Sequence, residues 1–203
     1  LGAKIQSKTL EDGSYKVELD GNPVLRSGNI SVPCDPSSAA FLVVAAVICP
    51  ESKIELKNIM INKGRDGLFK TLKEMGAKIN IFNKKNNGGE ETASIIAEYS
   101  QLKGIIVPSK RVPSMIDEYP ILSIAASCAE GKTVMNGISE LRVKESDRIK
   151  IISNGLTKAG VKTIEKAESL TIYGSKVVGG CSIDSELDHR IAMSFLILGL
   201  ISK

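Results

Sequence analysis

A short joint recurs three times along this chain, as Leu1-Gly2-Ala3-Lys4-Ile5, Met75-Gly76-Ala77-Lys78-Ile79 and Ala159-Gly160-Val161-Lys162-Thr163. In each, a glycine supplies the left-handed residue that stops a helix, and the residues after it alternate as a strand does. Recurrence of this kind means a chain built from copies of one unit. A second element interleaves with the joints. Asp35-Pro36-Ser37-Ser38 opens an apolar helix to about Cys49, Asp117-Glu118-Tyr119-Pro120 opens another to about Ala129, and Asp188-His189-Arg190 opens a third through Leu200. Asp is a preferred N-cap, and Pro is tolerated in the first turn, where its missing N–H is not needed.

These three helices are apolar nearly all round, so they are expected to be buried together. The segments from about Arg65 to Met75 and Lys144 to Ala159 are amphipathic, with Ile149, Ile152, Leu156 and Ala159 on one stripe, and should cover the outside. Strands read at about 29–33, 53–58, 77–82 and 93–98, and again at about 104–107, 132–136, 161–165 and 169–173. Asn86-Asn87-Gly88-Gly89 reads as a polar loop between strands, and Asp12-Gly13 as a hairpin turn. The fold class is therefore α/β, with a strand-helix-strand-helix-strand-strand unit repeated twice over parallel buried helices and an incomplete third copy from about Ser182. The chain opens and closes inside such units, so it reads as a piece of something longer. Residues 1–28 are expected to be the tail of a preceding domain and 29–203 a repeat domain cut off at its end.

Composition narrows the function. With 42% hydrophobic residues in 203, the chain can bury a sizeable core. Its longest apolar run, Phe41 to Cys49, is too short for a bilayer, and no secretory pattern opens the sequence. Cys34, Cys49, Cys128 and Cys181 are scattered, and His189 has no metal-ligand neighbour at the usual spacing. A reducing cytoplasm and no metal are the expectation. A net charge of +4, 4% aromatic residues and no Trp suit small anions better than nucleic acid.

Chemistry concentrates in Leu141-Arg142-Val143-Lys144-Glu145-Ser146-Asp147-Arg148. Read as the start of a helix, this run places Lys144 and Arg148 on one face, where like charges repel and oppose the helix dipole. Broken local rules often mark functional sites. The plainer reading is that Glu145 and Arg148 form a solvated surface pair. Asp117 reads either as an N-cap or as a carboxylate that takes a proton from a substrate hydroxyl, with the cap the commoner case. The same holds for Asp35 and Asp188. Arg190, just past a cap, could hold a phosphate or carboxylate beside exposed backbone donors. Arg65 reads as structural. If the three apolar helices are equivalent copies, their N-termini converge on one region that attracts anions.

Arg142-Val143-Lys144-Glu145-Ser146-Asp147-Arg148 resembles the signature of the 5-enolpyruvylshikimate-3-phosphate synthases. Asp35-Pro36-Ser37-Ser38-Ala39-Ala40-Phe41, Met115-Ile116-Asp117-Glu118-Tyr119-Pro120-Ile121-Leu122 and Asp188-His189-Arg190-Ile191-Ala192-Met193 resemble three more blocks, in the family's order and nearest to its bacterial class II group. The resemblance implies an inside-out α/β barrel of three repeated units per domain, with two domains closing over the substrates. It implies that Asp117 accepts the proton of the shikimate 5-hydroxyl and that Glu145 handles the proton at the methylene carbon of phosphoenolpyruvate. Lys144 would contact shikimate 3-phosphate and the transferring centre. Arg148 and Arg190 would hold the phosphate and carboxylate of phosphoenolpyruvate.

The resemblance implies no metal or organic cofactor, and a monomer at full length. Cys34 stands where the family usually has Gly, and Glu140 where some members carry a substrate-binding Asn. The basic and Ser/Gln phosphate-binding residues of the family's first domain, and a lysine near its end, have no counterpart in the sequence. Two alternatives accompany this reading. One is the related enolpyruvyl transferase acting on UDP-N-acetylglucosamine, which lacks this Arg-Val-Lys-Glu-Ser-Asp-Arg pattern. The other is a non-catalytic domain of the same fold.

Overall fold

Asp35 caps the first apolar helix. In the computed structural model of the chain, which describes residues 1–87 and 89–202, its carboxylate accepts the Ser38 N–H at 2.9 Å, and α1 runs Pro36–Ile48. Asp188 does the same for the last helix, α5 (His189–Gly199), accepting from the N–H groups of Arg190 and Ile191. The middle helix, α3 (Tyr119–Ser127), departs from the expectation. A 3-10 turn, Ile116–Glu118, leads into it, Glu118 takes the cap position without a side-chain cap bond, and Asp117 lies inside the turn. An Asp117 cap would place Pro120 third in the helix, where it offers no N–H to bond.

Residues Leu1–Val32 form one compact unit and those from Pro33 onward a second. The first contains an antiparallel hairpin of β1 (Ile5–Thr9) and β2 (Tyr15–Leu19), closed near Asp12 and by Gly13 at φ +81°. Both strands are exposed along their whole length. The strand expected at 29–33 does not form. Pro33 can donate nothing to a ladder, and only Cys34, just beyond it, makes a parallel bridge to Ile59.

The second unit contains the repeat. After α1 come β3 (Lys53–Met60), α2 (Gly67–Glu74), β4 (Lys78–Asn87) and β5 (Glu90–Glu98), in a sheet ordered β3-β5-β4. The second copy runs β6 (Ile106–Val107), α3, β7 (Lys132–Asn136), α4 (Arg148–Lys158), β8 (Lys162–Lys166) and β9 (Ser169–Tyr173), in a sheet ordered β6-β7-β9-β8. The pairing logic is the same in both. The strand before the buried helix lies parallel to the strand after it, as Cys34 to β3 and β6 to β7, and the remaining pairs are antiparallel. Gly76 and Gly160, at φ +97° and +82°, close α2 and α4 at the recurring joint. The polar loop read at 86–89 is shorter than expected, because β4 continues through Asn87 and β5 begins at Glu90; Gly88 lies outside the described residues.

Every residue of α3 is buried, as are most of α1, while α2 and α4 each bury one stripe. Helix α5 does not meet the expectation of burial all round. Its buried residues are Ile191, Ser194 and Leu198, and Leu196 is 72% exposed. Among the described residues no element covers its second face. Helix α4 also starts later than expected, because Asp147 caps it through the Lys150 N–H at 3.1 Å. Lys144 therefore precedes the helix and shares no helical face with Arg148; the two cations instead face each other across Asp117, where Arg148 still opposes the charge of Lys144.

Gly174 packs against the C-terminal end of α3, where a β-carbon would overlap the carbonyl oxygen of Ala129. Backbone cannot yield as a flexible side chain can, so Gly174→Ala is expected to cost at least about 1–3 kcal/mol. Urea unfolding of wild type and variant measures this.

Candidate active site

The N-terminal ends of α1, α3 and α5 meet. Ser37, in the first turn of α1, donates to the Glu118 carboxylate at the head of α3. Arg190, in the first turn of α5, donates to the Asp117 carbonyl oxygen at 3.3 Å. The opposite ends of α1 and α3 also lie together, where Ile48 and Cys128 line one cleft of about 490 Å³. Burial pushes the Cys128 thiol up to about 11, with the nearby Cys49 adding to it. Helices α1 and α3 are thus parallel, and the positive dipole ends of α1, α3 and α5 meet in one place.

Asp117 stands at that place. Its carboxylate has Arg148 Nη1 at 3.4 Å, Lys144 Nζ at 3.8 Å and Arg190 Nη2 at 3.8 Å. Three cations thus surround one partly exposed acid without a tight contact. That leaves room for a hydroxyl to enter beside a carboxylate placed to take its proton. Lys144 is also paired with Glu140 at 2.6 Å. That hydrogen bond, opposed by partial desolvation and assisted by Asp117, raises its pKa and keeps it charged.

Arg148 opens α4 and is wholly buried. Asp188 accepts from its Nε at 2.8 Å and Glu145 from its Nη2 at 2.6 Å. Burial alone would raise the Asp188 carboxyl, but hydrogen bonds from Arg148 and Ser146 outweigh it and hold it below the usual range. The pair of Glu145 and Arg148 read from the sequence does form, yet it is not a solvated surface pair, because only Glu145 reaches solvent. Its fork is thus engaged on three sides, by Asp188, Glu145 and Asp117.

All five residues singled out by sequence, Asp117, Lys144, Glu145, Arg148 and Arg190, therefore belong to one linked cluster. Sequence reasoning missed others. Asp188, for which the sequence offers a cap or a proton-accepting carboxylate, is a cap and also the buried counter-ion of Arg148. Glu118 is 6% exposed beside Arg190. Arg65, read as structural, spans Asp35 at 3.0 Å and Ser37 at 2.7 Å. A charge placed directly before an apolar helix, as Glu118 is, was the one signal available. Arg142 lies within the signature but points elsewhere, holding Asp147, Glu165 and the backbone of Ala167 as a strut. Among the described residues no helix is long and apolar enough to cross a membrane.

The whole chain, residues 1–203, matches the family model described as EPSP synthase (3-phosphoshikimate 1-carboxyvinyltransferase). The chain belongs to the EPSP synthase family. A relative named 3-phosphoshikimate 1-carboxyvinyltransferase, from Chelativorans sp. (strain BNC1), is 49% identical over 206 residues, covering 100% of this chain and 46% of that protein. The solved EPSP synthase from Acinetobacter baumannii superposes with a TM-score of 0.90 at 42% identity, over 98% of this chain and 46% of that one. The enolpyruvyl transferase NikO from Streptomyces tendae, with a TM-score of 0.68 at 17% identity over 100% of this chain and 44% of that one, shares the fold. The chain thus spans about half the length of the curated EPSP synthase relatives it matches.

Proposed function

We propose that this chain is the C-terminal half of a 3-phosphoshikimate 1-carboxyvinyltransferase, which moves the enolpyruvyl group of phosphoenolpyruvate to the 5-hydroxyl of shikimate 3-phosphate and releases phosphate. The observation that carries the reading is the acid Asp117 held among Lys144, Arg148 and Arg190 at the meeting of three helix N-termini. Asp117 accepts the hydroxyl proton as the oxygen bonds to the central carbon of the donor. Glu145 delivers a proton to the donor's methylene carbon, giving a tetrahedral ketal. Removing a proton from that same carbon restores the double bond as the carbon–oxygen bond to phosphate breaks. Lys144 steadies the hydroxyl and the reacting centre, and Arg190, with Arg148 behind it, holds the donor's charge. No step calls on a metal or an organic cofactor.

Residues 1–28 are read as the tail of a preceding domain and 29–203 as a repeat domain completed by further chain. Support comes from the exposed hairpin, since an isolated pair of strands is marginal in water, and from the uncovered apolar face of α5. The complete enzyme is read as a cytoplasmic monomer acting on small molecules, with no nucleic-acid or membrane partner.

The test is a phosphate-release assay on the full-length protein, given phosphoenolpyruvate with shikimate 3-phosphate or with UDP-N-acetylglucosamine. Release is expected with the first acceptor alone, and release with the second alone would overturn the reading. Residues 1–203 by themselves are expected to be inactive, and turnover by them would contradict the two-domain part of the proposal.

A further inference from the structure

The roles above leave one buried acid unused. Glu118 is 6% exposed, directly follows Asp117 and points between α1 and α5. Burial pushes its carboxyl above the usual range, and the hydrogen bond from Ser37 together with the charge of Arg190 offsets this only in part. A glutamate in such surroundings costs stability that an apolar or amide side chain would not. Folding alone does not explain it.

Its contacts lead from the outside of the site to its centre. Arg65, fixed by Asp35 at 3.0 Å, donates to Ser37 at 2.7 Å, and Ser37 donates to Glu118 Oε1. The same Oε1 faces Arg190 Nη1 at 3.9 Å. A guanidinium carries five N–H donors. Within the described residues that of Arg190 makes one hydrogen bond, to the Asp117 carbonyl oxygen at 3.3 Å. Of the two arginines at Asp117, Arg190 is therefore the one with most donors to spare, whereas Arg148 is already engaged by Asp188 and Glu145. Two carboxylates flank Arg190, Asp117 Oδ2 at 3.8 Å and Glu118 Oε1 at 3.9 Å, and of the two only Glu118 is buried and itself fixed, by Ser37.

We propose that Glu118, anchored by Ser37 and Arg65, is a positioning residue that draws one edge of the Arg190 guanidinium against the head of α3 and so presents its other N–H groups to the anionic donor. This rests on the reading of the site as the phosphoenolpyruvate pocket. It assigns to the first turn of α1 a part in donor binding that acts wholly through α3.

The test uses the full-length protein as wild type, Glu118→Ala and Glu118→Gln, with KM for each substrate, kcat, thermal melting and direct titration with phosphoenolpyruvate. Glu118→Ala is expected to raise KM for phosphoenolpyruvate about tenfold, the scale of one misdirected charged hydrogen bond, and to leave KM for shikimate 3-phosphate nearly unchanged. Glu118→Gln, which keeps the shape and the acceptor for Ser37, should recover part of that loss and melt no lower than wild type. An unchanged donor KM in Glu118→Ala overturns the inference. So does a parallel rise in both KM values with a lowered melting temperature, which marks general loosening. If wild type fails to turn over, the functional reading fails separately. The titration then decides alone, with a roughly tenfold weaker Kd in Glu118→Ala supporting the inference and an equal Kd, or no binding by wild type, overturning it.

Discussion

Replacing Asp188 with alanine is expected to destabilise the full-length protein by about 3–5 kcal/mol, the scale on which removing one partner of a buried ion pair operates. Asp188 and Arg148 are both wholly buried, and their side chains meet at 2.8 Å. Arg148 cannot shed its proton to relieve the loss. Glu145 and Asp117 would remain as its partners, both reaching solvent. The Asp188 substitution also removes the cap of α5, because the same carboxylate accepts from the N–H groups of Arg190 and Ile191. A pH dependence follows. The Asp188 carboxyl is held below its ordinary value, so its contribution is fully present above the unfolded-state pKa of about 3.9. It is lost as pH falls through the lower folded value. The stability gap between wild type and Asp188→Ala, measured by urea unfolding, should therefore be constant near neutrality and shrink below about pH 4. A gap that widened on acidification would contradict the assignment.

Asp117→Ala and Glu145→Gln are each expected to reduce kcat of the full-length enzyme by at least about two orders of magnitude, the usual scale for groups that move protons. Neither should unfold the protein. Asp117 lies in a turn, caps nothing and is partly exposed, and Glu145 is half exposed ahead of α4. Steady-state kinetics beside thermal melting separates the two effects. Near-normal kcat in both variants would remove the roles assigned to these acids.

Much of the fold is legible in the sequence because the unit repeats. All of β7 and β9 follow from alternation bounded by turn residues, and α1 follows from Asp35, Pro36 and an apolar run. The misreadings have local causes. The alternation Asn29-Ile30-Ser31-Val32 looks like a strand, but pairing needs a partner, which alternation alone does not supply. The spacing of Lys144 and Arg148 resembles a helix face, whereas the Asp147 cap sets the start of α4. Helix α5 is apolar all round, yet its burial depends on what packs against it.

The site divides in the same way. Lys144, Glu145 and Arg148 are visible as one run, and the repeat brings Asp117 and Arg190 to the same end of the molecule. The pairs that organise the cluster are not visible. Arg148 with Asp188 and Ser37 with Glu118 are separated by 40 and 81 residues, and no local spacing announces them. Asp117 shows how context decides a role. Its sequence setting favours a cap, and only the 3-10 turn ahead of Pro120 frees the carboxylate for the three cations.

The most direct test is a structure of the full-length protein with shikimate 3-phosphate and phosphoenolpyruvate bound. The account predicts the sugar hydroxyl against the Asp117 carboxylate and the donor's charged groups within hydrogen-bonding distance of Arg190. Both ligands lying away from these side chains, for instance in the cleft beside Ile48 and Cys128 at the far end of the helices, would contradict it.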